Sequence, residues 1–279
     1  MKLQKISRFC AAASAAVLCL SSMPAHAATR PLMFRLQPER YYVLASELKK
    51  GDAVLHSNVY IDNYVDMTDM VLTLRCDDPL SLENGGFVTD PPYFAKNSAQ
   101  FFNHTTPEGE PLNRAIWYGP ENSDDRHDAG EVADPTAPLL AVDIRIPKET
   151  AVGKYTVGFD TDKDDNEESG KSTPRCHIIN DELVLTPQYV AAVLTVEPTF
   201  TVGDVDNDKM ISIDDALSVL QYYTAKDLLH TYVEGTLHEY FRAEYVHSAL
   251  EAADYDGSGA VDMDDALGIL FAYTATILK

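Results

Sequence analysis

Basic residues are scarce. Lys and Arg number 22 against 44 Asp and Glu in 279 residues. A surface this anionic repels phosphate backbones and acidic headgroups, which argues against nucleic acid as a partner and against membrane insertion. Tryptophan occurs once, at Trp117, so a sugar-binding surface built from several indoles is excluded. No HExxH, GxSxG or glycine-rich phosphate loop occurs, which removes the commonest zinc-peptidase, hydrolase and nucleotide-binding signatures. The histidines beyond the leader (His56, His104, His127, His177, His230, His238 and His247) show no ligand spacing, and no catalytic residue is assigned. Paired carboxylates for glycoside hydrolysis must sit about 5–10 Å apart in space, which an acidic sequence leaves open.

Long apolar runs are missing too, except at the start. Lys2, Lys5 and Arg8 precede an apolar stretch from Phe9 to Leu20, and Ala25-His26-Ala27 forms a small-x-small site. Residues 1–27 therefore read as a secretory signal peptide cleaved after Ala27. No later run approaches the roughly 18–20 residues that span a bilayer. The expectation is an exported, soluble chain, associated with a cell surface only through partners. The leader removes three basic residues and no acidic ones, leaving 19 against 44 and a net charge of about −25. Of four cysteines, Cys10 and Cys19 depart with the leader. Cys76 and Cys176 remain, either paired or as free thiols.

What is present is a repeat. The chain reads GDVDNDKMISIDDALSVLQYYT from Gly203 and AADYDGSGAVDMDDALGILFAYT from Ala252. Aligned as twelve-residue loops, the copies place Asp204, Asp206, Asp208 and Asp215, then Asp254, Asp256, Ser258 and Asp265, at positions 1, 3, 5 and 12. Calcium takes six to eight oxygens, which such a loop supplies from positions 1, 3, 5, 7, 9 and 12. Position 7 contributes a backbone carbonyl, from Met210 or Ala260, and position 9 is Ser212 or Asp262. Ile211 and Val261 at position 8 are suited to pinning two loops together. Two calcium ions are expected. Position 6 needs a left-handed backbone: Gly259 suits it, whereas Lys209 costs roughly 1 kcal/mol, so loop one should bind more weakly. A third acidic run, DTDKDDNEESGK from Asp160, puts Glu167 at position 8 and Lys171 at position 12, and reads as a solvated hairpin loop. Pro198 and β-branched residues before loop one leave no room for an entering helix; YFRAEYVHSALEAAD before loop two is helical but belongs to the connection between copies.

A duplicated loop with Asp at position 12, each copy followed by one helix, resembles a dockerin module over residues 201–279. Dockerins plug into cohesin modules to assemble cellulosomes, the fibre-degrading complexes of anaerobic bacteria. The resemblance implies recognition through loop positions 10 and 11 and helix positions near 17 and 18. Those positions map to Ile213, Asp214, Leu220 and Gln221, and to Met263, Asp264, Leu270 and Phe271. Each helix carries two apolar stripes: Ala216, Val219 and Tyr223 beside Ile213, Leu217, Leu220 and Thr224, repeated as Ala266, Ile269 and Tyr273 beside Met263, Leu267, Leu270 and Thr274. Either both stripes are buried around the long connection, or one faces a partner, with Leu217 and Leu267 joining the contact residues.

Residues 40–196 read as strands. Candidates are YYVLASEL, AVLHSNVYI, MVLTLRC, AIWY, LLAVDIRI, KYTVGF, CHII and YVAAVLTV, separated by turns such as Gly51-Asp52, Asn84-Gly85-Gly86 and Gly119-Pro120. Leu140, Val142, Ile144 and Ile146 alternate with Asp143 and Arg145, and Tyr155, Val157 and Phe159 repeat the pattern. The prediction is an all-β antiparallel sandwich or jelly roll over 28–196, a linker at 197–203, and a small all-α paired loop–helix module over 204–279. LHSNVYIDNYVDMTDMVLTLRCDDPLSLENG, with its D-P-x-x-L turn, and APLLAVDIRIPKETAVGKYTVGF, with P-K-x-x-x-x-G-x-Y, resemble a cohesin. Together the resemblances imply a non-catalytic adaptor scaffoldin. Its sandwich would bind the dockerin of another protein, and its own dockerin would enter another scaffoldin's cohesin. The alternatives are a dockerin-bearing carbohydrate-active enzyme or sugar-binding module, for which Tyr41-Tyr42, Tyr93-Phe94 and Phe101-Phe102 supply aromatics, and a calcium-dependent surface protein.

Overall fold

The computed structural model describes residues 31–63, 67, 69–88, 99–105, 111–118, 137–166, 171–180 and 183–278. The expected leader, His127, Tyr93-Phe94, the Gly119-Pro120 turn and Glu167 lie outside the described residues.

The strands run in the order β1 (Met33–Pro38), β2 (Tyr42–Leu44), β3 (Ala53–Asp62), β4 (Asp69–Cys76), β5 (Ser81–Phe87), β6 (Ala99–Thr105) and β7 (Pro111–Tyr118). They continue with β8 (Leu140–Ile146), β9 (Gly153–Phe159), β10 (Lys163–Asn166), β11 (Lys171–Pro174), β12 (His177–Asn180), β13 (Leu183–Leu185), β14 (Gln188–Val190) and β15 (Ala192–Glu197). A short helix, α1 (Ala45–Leu48), follows β2. One sheet has the order β14-β1-β3-β8-β5. The other has the order β13-β12-β4-β9-β15-β2, extended by β7 on β4 and β6 on β7. Pairing is antiparallel except at β1–β14 and β2–β15, which are parallel.

The two-residue alternation of a strand puts one apolar face of each sheet inward. Phe34, Leu36, Leu55, Val59, Val142, Ile144 and Ile146 from the first sheet are buried in one cluster with Met70, Leu72, Leu74, Trp117, Val157, Ile178, Leu194 and Val196 from the second. Each contributes roughly 1.5–3 kcal/mol by leaving water, so this layer dominates the stability of the sandwich. Trp117 is only 4% exposed, a core residue rather than a sugar platform.

Several details depart from expectation. β1 precedes the anticipated first strand and lies between β14 and β3. YYVLASEL is a three-residue strand followed by α1, not one strand. Asn84-Gly85-Gly86 is not a turn between strands but an irregularity inside β5, where the register on β8 shifts between Glu83 and Gly86. Asn84 takes a left-handed φ of 51° there, and a Cβ on Gly85 would lie 2.1 Å from the Phe101 ring. The absent side chain at Gly85 lets β6 close over β5.

The C-terminal helices are α2 (Ile213–Tyr223), α3 (Val246–Ala253) and α4 (Met263–Ile277). They enclose a second hydrophobic cluster of Phe200, Val205, Ala216, Val219, Tyr222, Leu237, Phe241, Ala249, Ala252, Ala253, Val261, Ala266 and Ile269. No helix precedes loop one, whereas α3 runs directly into loop two, with Asp254 as its C-cap. The buried stripe of α2 ends at Tyr222, not at Tyr223, which is half-buried. A π-helical turn at Thr224–Leu228 follows, and Tyr232, Tyr240 and Phe241 of the connection gather round the Tyr222 ring at centroid distances of 5.5, 5.8 and 5.4 Å. Residues 197–203 are anchored at both ends: Glu197 closes β15, Phe200 is buried among the helices, and the Gly203 amide donates to the Ala252 carbonyl. Among the described residues no helix is long and apolar enough to cross a membrane.

Candidate functional site

Both acidic loops fold back on their own first aspartate. In loop one, the Asp208 and Lys209 amides donate to the two Asp204 oxygens at 3.0 and 3.1 Å, and the Met210 amide donates to Asp208 at 2.8 Å. Loop two repeats this: the Ser258 and Gly259 amides donate to the two Asp254 oxygens, each at 2.9 Å. The position-12 carboxylates close the loops from the helix side. Asp215 accepts from the Val205 and Ser212 amides, and Asp265 from those of Asp256 and Asp262. Ser212 and Asp262 also cap α2 and α4, accepting from amides of the first turn, so the residues that finish each loop start the following helix.

One carboxylate oxygen from each of Asp204, Asp206 and Asp208 lies within 4.8 Å of the others, and the same holds for Asp254, Asp256 and Asp265. Asp215 is outside the first trio and accepts from the Val205 and Ser212 amides and the Ser212 hydroxyl. Asp204, Asp215 and Asp265 are buried to 1% exposure or less. Among the described residues no Lys, Arg or His forms an ion pair with any of these carboxylates. At 4.8 Å each like-charged pair repels by roughly 3–4 kcal/mol at an effective dielectric of 20. Burial, joined by the carboxylates of Asp215, Asp208 and Asp204, pushes the Asp206 carboxyl up from its usual range. Oxygen donors crowded without a counter-charge fit a hard divalent cation of the calcium type. The Ser258 hydroxyl donates to the Ala260 carbonyl, which marks that position-7 oxygen as facing into the loop; the Met210 side chain is exposed and leaves only its backbone to contribute.

The third acidic run behaves differently. Asp160 is 6% exposed and accepts from Arg175 at 2.7 Å, and β10 and β11 form a hairpin beyond it. Arg175 neutralises that carboxylate.

Backbone strain separates the two loops. Positions 4 and 6 are left-handed in both, at φ 61° and 78° for Asn207 and Lys209 and at 73° and 87° for Gly257 and Gly259. Position 4 was not anticipated from the sequence, although Asn and Gly are the residues that tolerate it.

On α2 and α4 one stripe is buried and the other faces outward. Ala216, Val219, Ala266 and Ile269 pack inside. Ile213, Leu217, Leu220, Met263 and Leu267 are exposed, Phe271 is 70% exposed, and Asp214, Gln221 and Asp264 flank them. Leu270 is half-buried against the inner cluster.

The outer face of the first sheet is polar. Arg35 pairs with Asp62 at 3.1 Å, Arg145 bridges Asp52 and Glu83, and His56 Nδ1 lies 2.6 Å from Asp143, which also accepts from Asn84. The hydrogen bond to Asp143 raises the His56 pKa. Cys76 and Cys176 are free thiols. Cys176 exchanges hydrogen bonds with the Thr73 backbone while Cys76 donates to the Leu80 carbonyl, and burial pushes both to about 11.

No family model matches the sequence, and no curated protein matches it. The chain is similar to solved structures, among them the seventh ScaB type I cohesin from Pseudobacteroides cellulosolvens, at 12% identity over 60% of this chain and 94% of that one, with a TM-score of 0.37. A type II cohesin domain from the cellulosome of Acetivibrio cellulolyticus gives 11% identity over 59% and 95% of the two chains, with a TM-score of 0.39. A non-cellulosomal cohesin from the archaeon Archaeoglobus fulgidus gives 11% over 59% and 91%, with a TM-score of 0.36.

Proposed function

We propose that this chain is an exported, non-catalytic adaptor with two binding modules. The β-sandwich receives a dockerin of another protein, and the calcium-loaded C-terminal helices dock into a cohesin of another scaffoldin. The observation that carries the reading is the pair of acidic trios, each held by its own backbone amides and each without a basic partner among the described residues. Asp204, Asp206, Asp208, Asp215 and Ser212, with the Met210 carbonyl, would hold one ion. Asp254, Asp256, Ser258, Asp262 and Asp265, with the Ala260 carbonyl, would hold the other. When bound, calcium supplies the positive charge these carboxylates lack. The loops themselves fix the start of α2 and α4, and so the spacing of the outward apolar stripe. That stripe suits a partner surface whose affinity is concentrated in a few buried anchors.

The test uses the metal-stripped full chain. Calcium titration followed by calorimetry and circular dichroism should give two binding events, with loop one weaker. Native-gel shifts in calcium against panels of cohesins and dockerins should then show Asp206→Asn with Asp256→Asn abolishing capture of cohesins while sparing capture of dockerins. Uptake of no calcium, or retardation in polysaccharide gels with sugar release, would overturn the proposal in favour of a carbohydrate-directed protein.

A further inference from the structure

Helix α3 carries no cap of its own. Its N-cap residue is Tyr245, whose side chain makes no capping hydrogen bond. Two free amides of its first turn are taken by a carboxylate from the end of the β-sandwich, some fifty residues earlier. Glu197 Oε2 accepts from the His247 and Ser248 amides at 3.1 and 2.9 Å and from the Ser248 hydroxyl at 3.2 Å, while Oε1 lies 2.7 Å from His247 Nδ1. Glu197 is only 4% exposed, and the Ser248 hydroxyl also reaches the Pro198 carbonyl. An anion at this end of a helix meets both the unpaired amides and the positive end of the dipole.

Other contacts extend the joint along the helix. Tyr42 of β2 stacks on His247 with centroids 3.5 Å apart and planes 7° from parallel, and Arg40 lies over the Tyr42 ring at 5.5 Å. One turn further on, Ser46 of α1 donates to Glu251. The far end of the same helix is Asp254, the first residue of loop two. A cleft of about 270 Å³ is lined by Tyr42, His247 and Glu251 together with Asp254, Gly259 and Ala260. The interface and the second acidic loop therefore share α3 as a common beam. Loop one has no such helix in front of it.

We infer that Glu197 is a positioning residue for loop two: by capping α3 it ties the β-sandwich to the second calcium loop, so that ion uptake there and rigidity of the joint reinforce each other. The inference rests on the calcium reading proposed above. Its consequence is directional. A partner held by the sandwich is carried at a fixed angle to the apolar stripe when loop two is filled, instead of swinging on a tether. Linkage requires the reverse as well: whatever stabilises the joint tightens loop two by the same factor.

The experiment uses the full chain with one loop disabled at a time, Asp206→Asn leaving loop two and Asp256→Asn leaving loop one. Calorimetric calcium titration is compared with Glu197 intact, Glu197→Gln and Glu197→Ala. Glu197→Ala should weaken loop two about tenfold, the scale of a lost helix cap, and leave loop one within about twofold. Glu197→Gln, which keeps an acceptor for the Ser248 amide, should fall between. Hydrogen exchange at the His247 and Ser248 amides should be slow in the parent chain and fast in Glu197→Ala, even without calcium. Equal weakening of both loops would mean a general loss of stability and overturn the inference, as would an unchanged loop two. Fast exchange of those amides in the parent overturns the clamp while leaving the calcium reading standing. A parent chain that takes up no calcium overturns both the calcium reading and the coupling, and slow exchange would then leave only a static joint.

Discussion

Lys209→Gly should tighten calcium binding at loop one. Lys209 occupies position 6 with φ of 78°, and its counterpart Gly259 adopts 87°. A left-handed backbone costs a residue with a Cβ about 1–2 kcal/mol, and glycine returns about 0.5–1 kcal/mol of that as extra unfolded-state entropy. The net gain is roughly 1 kcal/mol, or about three- to fivefold in affinity. The Lys209 ammonium, bonded to the Asn207 side chain, is exposed, and its repulsion of a bound cation is largely screened. Lys209→Ala separates the two effects, since it removes the charge and keeps the strain. The assay is calorimetric titration of the full chain carrying Asp256→Asn, so that only loop one reports. Glycine should tighten the site and alanine should leave it within about twofold. If alanine equals glycine, charge and not backbone strain weakens loop one; if neither changes the affinity, the strain argument is wrong.

Leu217→Glu with Leu267→Glu puts two charges on the exposed stripe, and should abolish cohesin capture in a gel shift while leaving both calcium events and the melting temperature nearly unchanged; loss of calcium binding would show that the stripe is internal packing. Cys76 and Cys176, free and pushed to about 11 by burial, should resist iodoacetamide at pH 8 in the folded chain and both react after unfolding; a mass two units lower and no labelling would reveal a disulfide. Burial opposes ionisation of Glu197, but the hydrogen bonds from His247 and Ser248 win and hold its carboxyl below the usual range. The sign follows from that: its contribution is present above the unfolded carboxylate value of about 4.3 and is lost as pH falls through the lower folded value. The groups facing the pair are Tyr42 and Ser248, with Glu251 one turn on. The stability difference between the calcium-free parent and Glu197→Gln should therefore be full near pH 6 and shrink towards pH 3; a difference flat across that range would contradict the assignment.

The strands whose burial alternates strictly were readable from the sequence. β8 is the clearest case: Leu140, Val142, Ile144 and Ile146 are all buried, with Asp143 and Arg145 turned to the outer face. β1 was passed over, although Phe34 and Leu36 alternate as well, because only six residues carry the signal and Pro38 ends it. β5 was hidden by Asn84-Gly85-Gly86, which usually signals a turn and here serves a bulge that admits Phe101. Two parallel pairings were invisible because strand direction depends on where the chain returns, which short-range pattern does not encode.

The loops were the most legible part, since a turn made from twelve consecutive residues writes its carboxylates into a fixed spacing. The aspartates at positions 1, 3 and 12 accept backbone amides of their own loops. The stripes were half legible. Periodicity identified two apolar faces on each helix, but only packing decides which is covered: the Tyr232, Tyr240 and Phe241 cluster closes over Tyr222 and leaves Leu217 and Leu220 outside. The Glu197 contact had no signature at all. A glutamate at the end of a strand and a helix lacking a local cap are each unremarked alone, and only the fold sets one against the other across fifty residues. Local chemistry thus records the donor spacing of the C-terminal loops, whereas the angle at which the chain presents them depends on a contact no window of sequence contains.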